Sequence, residues 1–443
     1  MRYPVLVLLG AGLGLAATSA QTSPAIKPDI TVAADGSGDF KTVEAAVASI
    51  PKDNHERMII LVKDGIYHEK VRIDANDVTL LGQSRQRTRI EFNESAVEAR
   101  TAPDRALGQA VVNVNGDDCV LQNLTMQNTY GVIGIHAFAV YGRGDRTVIT
   151  DANVWSQGND TLSLWRQSGG QYGADAASHV SPDGRYYHAR LDVCGSVDFI
   201  CPRGTCYMVD SNIHEVKSQT EAVWHDGSRG QDMKFVLRDC HFDGVQDWRL
   251  ARHHHDGQFY FIDCLFSSTM TDRSPRRVIY PLNGGTPTAA DIQNNKEHDP
   301  TNIWGERSYY YNTHRDGGDY AWMRENLETA PGAPKPGQIT AAWTFEGKWD
   351  PENKLGPAVT KVDGQGGRIA VTFGESVTVK GRPRLTLKGG GWADYASGSG
   401  SATLLFTAPA GGSTAAERID FAGGAIIATE AAATVRVASL QLP

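Results

Sequence analysis

The feature of this sequence that most restricts its fold is a short strand motif that recurs along the middle of the chain. Each copy runs through apolar, often β-branched or aromatic residues and ends near an Asp or Asn. The copies end at Asn123, Asp151, Asp192, Asp210, Asp239 and Asp263. The last two lie 24 residues apart, and three other neighbouring pairs are 18 to 29 residues apart. Such a repeat predicts a solenoid, because one turn cannot bury its own apolar face without its neighbours.

The solenoid is expected to be built from strands. Few helical patterns interrupt the repeats, which favours a parallel β-helix over a leucine-rich horseshoe, while a two-sheet β-sandwich is the alternative interpretation. Stacked coils place equivalent residues about 4.8 Å apart, so side chains distant in sequence can line one groove. Cys240 and Cys264 share the 24-residue spacing, and we expect either an interior ladder of thiols or a disulfide there.

The chain is predicted to consist of four segments, and its fold class is predicted to be all-β. Arg2, an apolar stretch and small residues up to position 20 predict a signal peptide over residues 1–20, and hence a secreted or periplasmic protein. Residues 28–330 hold the predicted β-helix. The Pro- and Gly-rich residues 331–345 predict a linker. Alternating strands between glycine turns in residues 346–443 predict a small Ig-like β-sandwich domain.

The net charge and the hydropathy of the sequence argue against two kinds of partner, nucleic acid and the membrane interior. The formal net charge of -8 argues against nucleic acid, because phosphate binding needs a basic surface. An acidic ligand would therefore have to be held by local arginines. The apolar stretch near the N-terminus is shorter than the ~20 residues that a spanning helix needs, and no later stretch is longer, so we expect no membrane span. We expect the protein to be a monomer.

Two aspartates stand among small and apolar residues beside predicted strands, Asp160 in residues 158–162 and Asp198 in residues 195–200. Paired carboxyls in unlike environments can divide the acid and nucleophile roles, although a single Asp at a strand end more often forms a turn. The histidines at 253–255 invite a metal interpretation, but adjacent residues on a strand face opposite sides and no further ligands complete a site. We therefore predict no metal and no cofactor.

Five short motifs in a fixed order resemble those of the pectin methylesterase family of carbohydrate esterases. They are A-D-G-S-G-D-F-K-T at 34–42, G-I-Y-H-E at 65–69, G-N-D-T-L at 158–162, G-S-V-D-F-I at 195–200 and L-A-R at 250–252. The resemblance covers residues from about 30 to 325. It implies a right-handed parallel β-helix that acts, without a cofactor, on the methyl esters of pectin or a related uronate polysaccharide.

The resemblance also implies roles for residues within these motifs. Asp198 would attack the ester carbonyl, Asp160 would protonate the leaving methanol and then activate water, and Arg252 would keep Asp198 ionised and aimed. The family holds the developing oxyanion with two glutamines, which correspond here to Asn159 and His136. Both replacements retain a hydrogen-bond donor.

Other side chains must contact the sugar, because histidines replace the Pro-Trp that follows the arginine in the family. The candidates are Phe199, His253, Trp165 and Tyr187, with Tyr186 and Trp224 as further aromatic residues; ordinary packing is the alternative for each. Other functions stay open: a polysaccharide binder without activity, an esterase or thioesterase acting on another acyl group, and a lyase or glycosidase. The retained pair of aspartates with an arginine favours the esterase.

Overall fold

The computed structural model describes residues 28–166, 184–225, 231–253, 256–281, 284–299, 304–352, 359–388, 390–420, 425–428 and 439–441. The predicted signal peptide lies outside these ranges. Within them, the chain forms a parallel β-helix followed by an antiparallel β unit. The prediction of an all-β fold class with a β-helix is therefore confirmed.

The coils of the β-helix pass through three parallel sheets of the described structure, and strands at equivalent positions pair from one coil to the next. Sheet 1 is formed by β1 (Ile30–Val32), β2 (Met58–Val62), β5 (Val78–Gly82), β8 (Val120–Gln122), β11 (Thr147–Thr150), β14 (Arg185–Ala189), β17 (Thr205–Val209), β20 (Phe235–Arg238), β23 (Gln258–Ile262) and β26 (Arg307–Tyr311). Sheet 2 is formed by β3 (Gly65–His68), β6 (Thr88–Phe92), β9 (Thr125–Asn128), β12 (Asn153–Trp155), β15 (Asp192–Gly195), β18 (Asn212–Glu215), β21 (His241–Gly244), β24 (Leu265–Phe266) and β27 (His314–Arg315). Sheet 3 is formed by β4 (Val71–Ile73), β7 (Ala110–Val114), β10 (Phe138–Gly142), β13 (Leu162–Trp165), β16 (Ile200–Arg203), β19 (Glu221–His225), β22 (Arg249–His253) and β25 (Arg276–Arg277).

Single residues with a left-handed backbone make the corner between sheets 1 and 2. They include Asn123 (φ 59°), Asp151 (φ 54°) and Asp239 (φ 50°), which are the residues whose recurrence predicted the solenoid. Asp and Asn adopt this conformation more readily than most residues, because their short polar side chains can hydrogen-bond locally. One copy differs from the prediction: its corner residue is Arg190 (φ 55°), and Asp192 begins the following strand.

Ladders of apolar side chains fill the interior of the β-helix. Leu121 and Ile149 occupy equivalent positions on neighbouring coils and are fully buried. Burial of a side chain of this size stabilises the fold by about 1.5–3 kcal/mol. Cys240 and Cys264 lie one coil apart in the same interior and are free thiols. Of the two expectations for this pair, the structure shows the thiol ladder.

Helices are few and short in the described structure. They are α1 (Val43–Ala48), α2 (Ala96–Ala99), α3 (Ala289–His298) and α4 (Ala341–Thr344), with 3-10 turns at Arg105–Leu107, Ala321–Met323, Leu327–Thr329 and Pro336–Gln338. None of the helices in the described ranges is both long enough and apolar enough to cross a membrane.

Helix α1 covers the first coil, and the G-I-Y-H-E motif holds it there. The carboxylate of Glu69 accepts hydrogen bonds from the backbone N–H groups of Val43 (2.8 Å) and Glu44 (2.9 Å) at the start of the helix. The hydroxyl of Tyr67 donates to the backbone carbonyl of Lys63 at 3.0 Å. A carboxylate at a helix N-terminus satisfies N–H groups that have no partner within the helix. In this chain the motif therefore has a structural role.

The residues predicted as a linker pack on the β-helix. They belong to a segment, residues 327–349, that we call the covering segment. It buries Ile339, Phe345 and Trp349 against the outer face of sheet 1, where they meet Tyr207 and Tyr260. The Pro and Gly residues at positions 331–336 predicted an extended connection, but the apolar side chains that follow complete an outer core. The predicted linker is thus corrected to a packed layer.

The C-terminal unit contains β28 (Val359–Gln365), β29 (Arg368–Lys380), β30 (Arg384–Leu387), β31 (Trp392–Ser397), β32 (Ser401–Thr407), β33 (Ala416–Asp420), β34 (Ala425–Ala428) and β35 (Ser439–Gln441). Its strands pair antiparallel, as expected, but they join one barrel-like sheet rather than the two facing sheets of an Ig-like sandwich. The reason lies in β29. Its first part pairs with β28 and β32, its register with β32 shifts between Thr372 and Val377, and its last part pairs with β34. Such irregularities bend a strand and allow a sheet to curl.

Candidate active site

Two aspartates stand at the start of neighbouring strands in sheet 3. Asp160 and Asp198 lie two residues before β13 and β16, in which Leu162 pairs with Ile200. They therefore occupy equivalent positions on adjacent coils, with Cα atoms about 4.8 Å apart. Both have a left-handed backbone, with φ of 55° and 56°. The sequence motifs that carried the resemblance are thus adjacent in space, and we call this pair of aspartates the dyad.

The backbone beside Asp198 is strained. Val197 has a φ of 43° and directly precedes Asp198, so two consecutive residues are left-handed. This conformation is a true outlier for a β-branched residue and costs about 1–3 kcal/mol. The Val197 carbonyl accepts the N–H of Asp160 at 3.2 Å, and the N–H of Asp198 donates to the Glu221 carbonyl at 2.6 Å. The surrounding coils thus hold the strained turn in place, as is common at functional sites.

Arg252 holds the carboxylate of Asp198 with two hydrogen bonds. Its Nε lies 2.9 Å from Oδ1, and its Nη2 lies 2.5 Å from Oδ2. The ring of Trp224 lies against the guanidinium, with 5.1 Å between the ring centroid and Cζ. A forked pair of this kind fixes both the charge and the orientation of the carboxylate. The structure thus places Arg252 beside Asp198, as the resemblance implied, and it places Trp224, one of the aromatic candidates for sugar contact, against Arg252.

Glu221, on β19, supports Arg252 and was not identified from the sequence. Its Oε1 accepts a hydrogen bond from Arg276 at 2.8 Å and lies 3.8 Å from Arg249, and its Oε2 lies 3.8 Å from Nε of Arg252. The residue is only 3% exposed. A glutamate at the start of the otherwise apolar strand E-A-V-W-H could have indicated this residue from the sequence, because a carboxylate that is buried in a strand needs charged partners.

Asp198 titrates near neutral pH. Burial is the main cause and raises the pKa of Asp198 to about 7, while Arg252 acts in the opposite direction. The neighbouring carboxylates of Asp160 and Glu221 add to the increase. Two carboxyls this close do not both ionise readily, so the dyad can hold one proton and one negative charge near pH 7.

A further carboxyl, that of Glu215, lies fully buried at the end of β18. Burial raises the pKa of Glu215 to about 9, although its Oε1 accepts the backbone N–H of Lys217 at 2.9 Å. The negative charge of Asp198 adds to this increase. At neutral pH Glu215 is therefore protonated, and it adds no negative charge near Asp198.

His136 reaches the dyad from the coil before Asp160. Its half-exposed ring places Nε2 at 3.9 Å from Oδ2 of Asp160. Partial burial lowers the pKa of His136; Asp198 opposes this effect, and Arg100 and Arg203 reinforce it. The ring is therefore neutral at pH 7 and can donate one N–H. The donor role that the resemblance implied requires only this N–H group and no positive charge on the ring.

Asn159 is bonded to the loops around the dyad. Its Nδ2 donates to the Gly134 carbonyl at 3.0 Å, and its Oδ1 accepts the hydroxyl of Ser196 at 3.2 Å. The same hydroxyl oxygen accepts the N–H of Gly134 at 3.0 Å. These bonds tie the loop before His136 to the loop before Asp198. The structure thus shows an anchoring role for the Asn159 amide, while the ring of His136 lies at Asp160.

The candidates for sugar contact lie in different places. Trp165 ends β13 on the outer side of sheet 3, and its ring centroid lies 3.5 Å from Cζ of Arg203. Phe199 is fully buried in the interior core, although it follows Asp198 directly. His253 is buried against Phe259, with its Nε2 at 2.5 Å from Glu306. Histidines 254 and 255 lie outside the described residues.

Tyr187 lies on the outer face of sheet 1, beneath the covering segment. It stacks on Tyr207, with ring centroids 6.0 Å apart, and donates its hydroxyl to Glu352 at 3.2 Å. Tyr187, Phe199 and His253 thus occupy packing positions, which corrects their prediction as sugar contacts. Strand alternation and coil register decide which way each side chain faces, and the motifs alone do not contain that information. Among the described residues, no three His, Cys, Asp or Glu side chains are grouped to hold a metal ion.

The sequence similarity of this chain to known proteins extends over about half of its length. A family model described as Pectinesterase matches residues 29–256, just over half of the chain. Pectinesterase 5 from Arabidopsis thaliana is 32% identical over 234 residues, which cover 51% of this chain and 36% of that protein. A pectinesterase/pectinesterase inhibitor from Ficus pumila var. awkeotsang is 30% identical over 207 residues, which cover 46% of this chain and 34% of that protein. The chain thus spans about a third of the length of these relatives.

Solved pectin methylesterases share the architecture. The enzyme from carrot matches with a TM-score of 0.53 and 20% identity, covering 74% of this chain and 97% of that chain. PemA from Erwinia chrysanthemi matches with a TM-score of 0.55 and 18% identity, covering 72% and 98%. A pectin methylesterase in complex with hexasaccharide VII matches with a TM-score of 0.54 and 18% identity, covering 76% and 100%. At these identities the likeness concerns the fold.

Proposed function

Because this chain belongs to the pectinesterase family, we propose that it hydrolyses the methyl esters of a polygalacturonate chain to free carboxylates and methanol. The observation that carries the proposal is the forked pair between Arg252 and the buried Asp198, beside Asp160 on the adjacent coil. The names of the relatives and the hexasaccharide complex of a protein with the same fold support an ester on an extended carbohydrate. The predicted signal peptide supports a secreted or periplasmic location for this activity.

In the first step, Asp198 is the nucleophile. One carboxylate oxygen bonds to the ester carbonyl carbon, whose oxygen becomes negative, and the N–H of His136 donates to this oxyanion. The bond to the methoxy oxygen then breaks. Asp160 gives its proton to that oxygen, so methanol leaves and an anhydride joins Asp198 to the uronic acid.

In the second step, Asp160 is the base. It removes a proton from water, the hydroxide attacks the uronate carbonyl, and the anhydride bond breaks to restore the carboxylate of Asp198. The galacturonic acid leaves and loses its proton to solvent. Asp160 is then protonated again, so the cycle closes without a cofactor.

The division of roles follows from the charges around the dyad. Arg252 pairs with Asp198 and stabilises the ionised form of that carboxyl, which a nucleophile requires. The negative charge of Asp198 in turn favours a protonated Asp160, because like charges on adjacent coils repel. One dyad thus supplies the nucleophile and the acid at the same pH.

The proposal is tested with purified protein and methyl-esterified polygalacturonate, measuring methanol, free carboxylates and chain length together. We expect one carboxylate for each methanol and no new reducing or unsaturated chain ends. Shortening of the polysaccharide without release of methanol would instead show that the protein is a glycosidase or a lyase. Release of acetate from an acetylated polysaccharide, without methanol from the methyl ester, would show that the protein hydrolyses acetyl esters and not the proposed methyl esters.

A further inference from the structure

A cavity of about 690 Å³ lies on the outer side of sheet 3, at the N-terminal end of the β-helix. Four arginines line it: Arg72 on β4, Arg100 at the end of α2, Arg105 in the following 3-10 turn, and Arg143 directly after β10. We call this group the arginine pocket. Such a concentration of positive charge stands out in a chain whose formal net charge is -8.

Three of these arginines form no ion pair with any of the described residues. Arg72 is held by the carboxylate of Asp74 at 2.8 Å and by the Ala106 carbonyl at 2.6 Å. For Arg100, Arg105 and Arg143, the described residues provide no side-chain hydrogen bond and no ion pair, and all three are exposed. Their guanidinium groups are thus available to a ligand.

Other groups of arginines in this protein are neutralised from within. Arg146 and Arg185 both pair with Asp145. Arg249, Arg252 and Arg276 surround Glu221, as described above. Guanidinium groups around one cavity repel each other, and an anion bound between them converts this repulsion into attraction. The arginine pocket therefore has the electrostatic character of an anion-binding site.

The pocket and the dyad share one face of the β-helix. On this face Arg72 pairs in register with Asn113, Asn113 with Tyr141, and Tyr141 with Ser163 of β13, the strand that follows Asp160. Each step along this row is about 4.8 Å. Helix α2 also joins the two sites, because its Ala96 donates its N–H to the carbonyl of His136 at 2.8 Å. An extended polymer on this face can therefore reach both.

We propose that the arginine pocket binds the free carboxylates of unesterified sugars in the same uronate chain whose esterified sugar lies at the dyad. This inference rests on the proposed function. A guanidinium group binds a carboxylate through two parallel hydrogen bonds, whereas a methyl ester carries no charge for it to bind. The pocket thus selects partly de-esterified chains over fully esterified ones.

The test is the affinity for an unesterified oligogalacturonide, measured by calorimetry at low and high salt. The pocket variant carries Arg100→Gln, Arg105→Gln and Arg143→Gln, and the control variant carries Arg324→Gln, Arg368→Gln and Lys388→Gln, which remove the same charge from exposed positions elsewhere. We expect the pocket variant to bind about tenfold more weakly or worse, with less salt dependence, and the control variant to bind like the wild type. Thermal unfolding of each variant establishes that it is folded.

The outcomes separate this inference from the proposed activity, since methanol release by the wild type is measured independently. Equal affinity of the folded pocket variant, the control variant and the wild type would overturn the arginine pocket, even if methanol is released. An equal loss in both variants would overturn it too, because the effect would then be one of net charge. A loss confined to the pocket variant, in a protein that releases no methanol, would support the pocket and overturn the esterase.

Discussion

At the scale of single residues, the site depends on opposing effects on the carboxyl of Asp198. Burial raises its pKa to about 7, Arg252 lowers it, and the carboxylate of Glu221 raises it. In the proposed mechanism, attack requires the ionised form of Asp198, so these effects set the pH range in which the protein should be active. Each neighbour can be removed separately, and each removal shifts the pKa in a defined direction.

The pH dependence of wild-type kcat/KM is the first prediction. It should rise with pH and reach half of its maximum near pH 7, because the free enzyme must ionise Asp198, and it should fall at higher pH, where the dyad no longer holds the proton that methanol needs. In Arg252→Gln the carboxylate loses its cation, so the midpoint of the residual activity should move up by about 1–3 pH units. Initial rates of methanol release between pH 4 and about 10 measure both. An unchanged midpoint in Arg252→Gln, with Arg324→Gln as the control, would contradict the role of the ion pair.

Substitution of Glu221 should have the opposite sign. In Glu221→Gln a negative charge near Asp198 is lost, so the midpoint of kcat/KM should move to lower pH. The same change leaves three partly buried arginines without the carboxylate of Glu221 and should lower the free energy of unfolding by about 1–3 kcal/mol. Glu221→Asp keeps the charge and serves as the control for the midpoint. A shift to higher pH in Glu221→Gln would show that Glu221 acts on Asp198 in another way.

At the scale of elements, the close approach of neighbouring coils fixes the turn that carries Asp198. Gly195 ends β15, and a Cβ at this position would lie 2.3 Å from Oγ1 of Thr161 and 2.4 Å from Cβ of Phe199. These contacts are too short for any side chain, and both neighbours are buried. The turn that precedes Asp198 thus needs a glycine at its start.

Gly195→Ala should therefore destabilise the protein by about 1–3 kcal/mol through overpacking, and it should lower kcat by displacing Asp198. Gly337→Ala is the matched control, because a Cβ there would meet nothing within 4 Å. Urea unfolding and methanol release measure the two effects. Equal stability of both variants would mean that the coils at Gly195 can separate without cost.

The sequence was informative where one residue type satisfies one local requirement. Asp and Asn at the corners predicted the coils because few other residues adopt a left-handed backbone there. The motifs likewise identified Asp160, Asp198 and Arg252, which the fold brings together. The predicted sugar contacts were less accurate, because they depend on the direction in which a side chain points. Phe199 and His253, for example, are buried. The register between coils decides whether a side chain points into the core or towards solvent, and the residues that define this register lie a full coil away in sequence.

At the scale of the whole molecule, the β-helix is joined to the residues that follow it. The covering segment buries Trp349 completely, and its ring lies 4.5 Å from that of Phe345 between centroids. The C-terminal unit contacts the first coil, where Arg382 pairs with Asp29 at 2.9 Å and with Glu56 at 3.2 Å. The composition of the predicted linker did not reveal this packing, because Pro and Gly report on local backbone rather than on long-range contacts.

Trp349→Ala should therefore lower the free energy of unfolding by about 3–5 kcal/mol, as for other large buried side chains. Trp392→Ala, at a partly exposed tryptophan of the C-terminal unit, is the control and should cost much less. Urea denaturation followed by circular dichroism measures both. Equal effects would mean that the covering segment contributes little to the stability of the β-helix.

The role of Asp198 is tested by methanol release from methyl-esterified polygalacturonate by the wild type, Asp198→Asn and Asp210→Asn. Asp210 is an exposed corner residue with a φ of 51°, so its substitution makes the same chemical change on a similar backbone away from the dyad. We predict that Asp198→Asn loses about a thousandfold or more in kcat, and that Asp210→Asn keeps the wild-type rate. Wild-type activity in folded Asp198→Asn would contradict the assignment of Asp198 as the nucleophile.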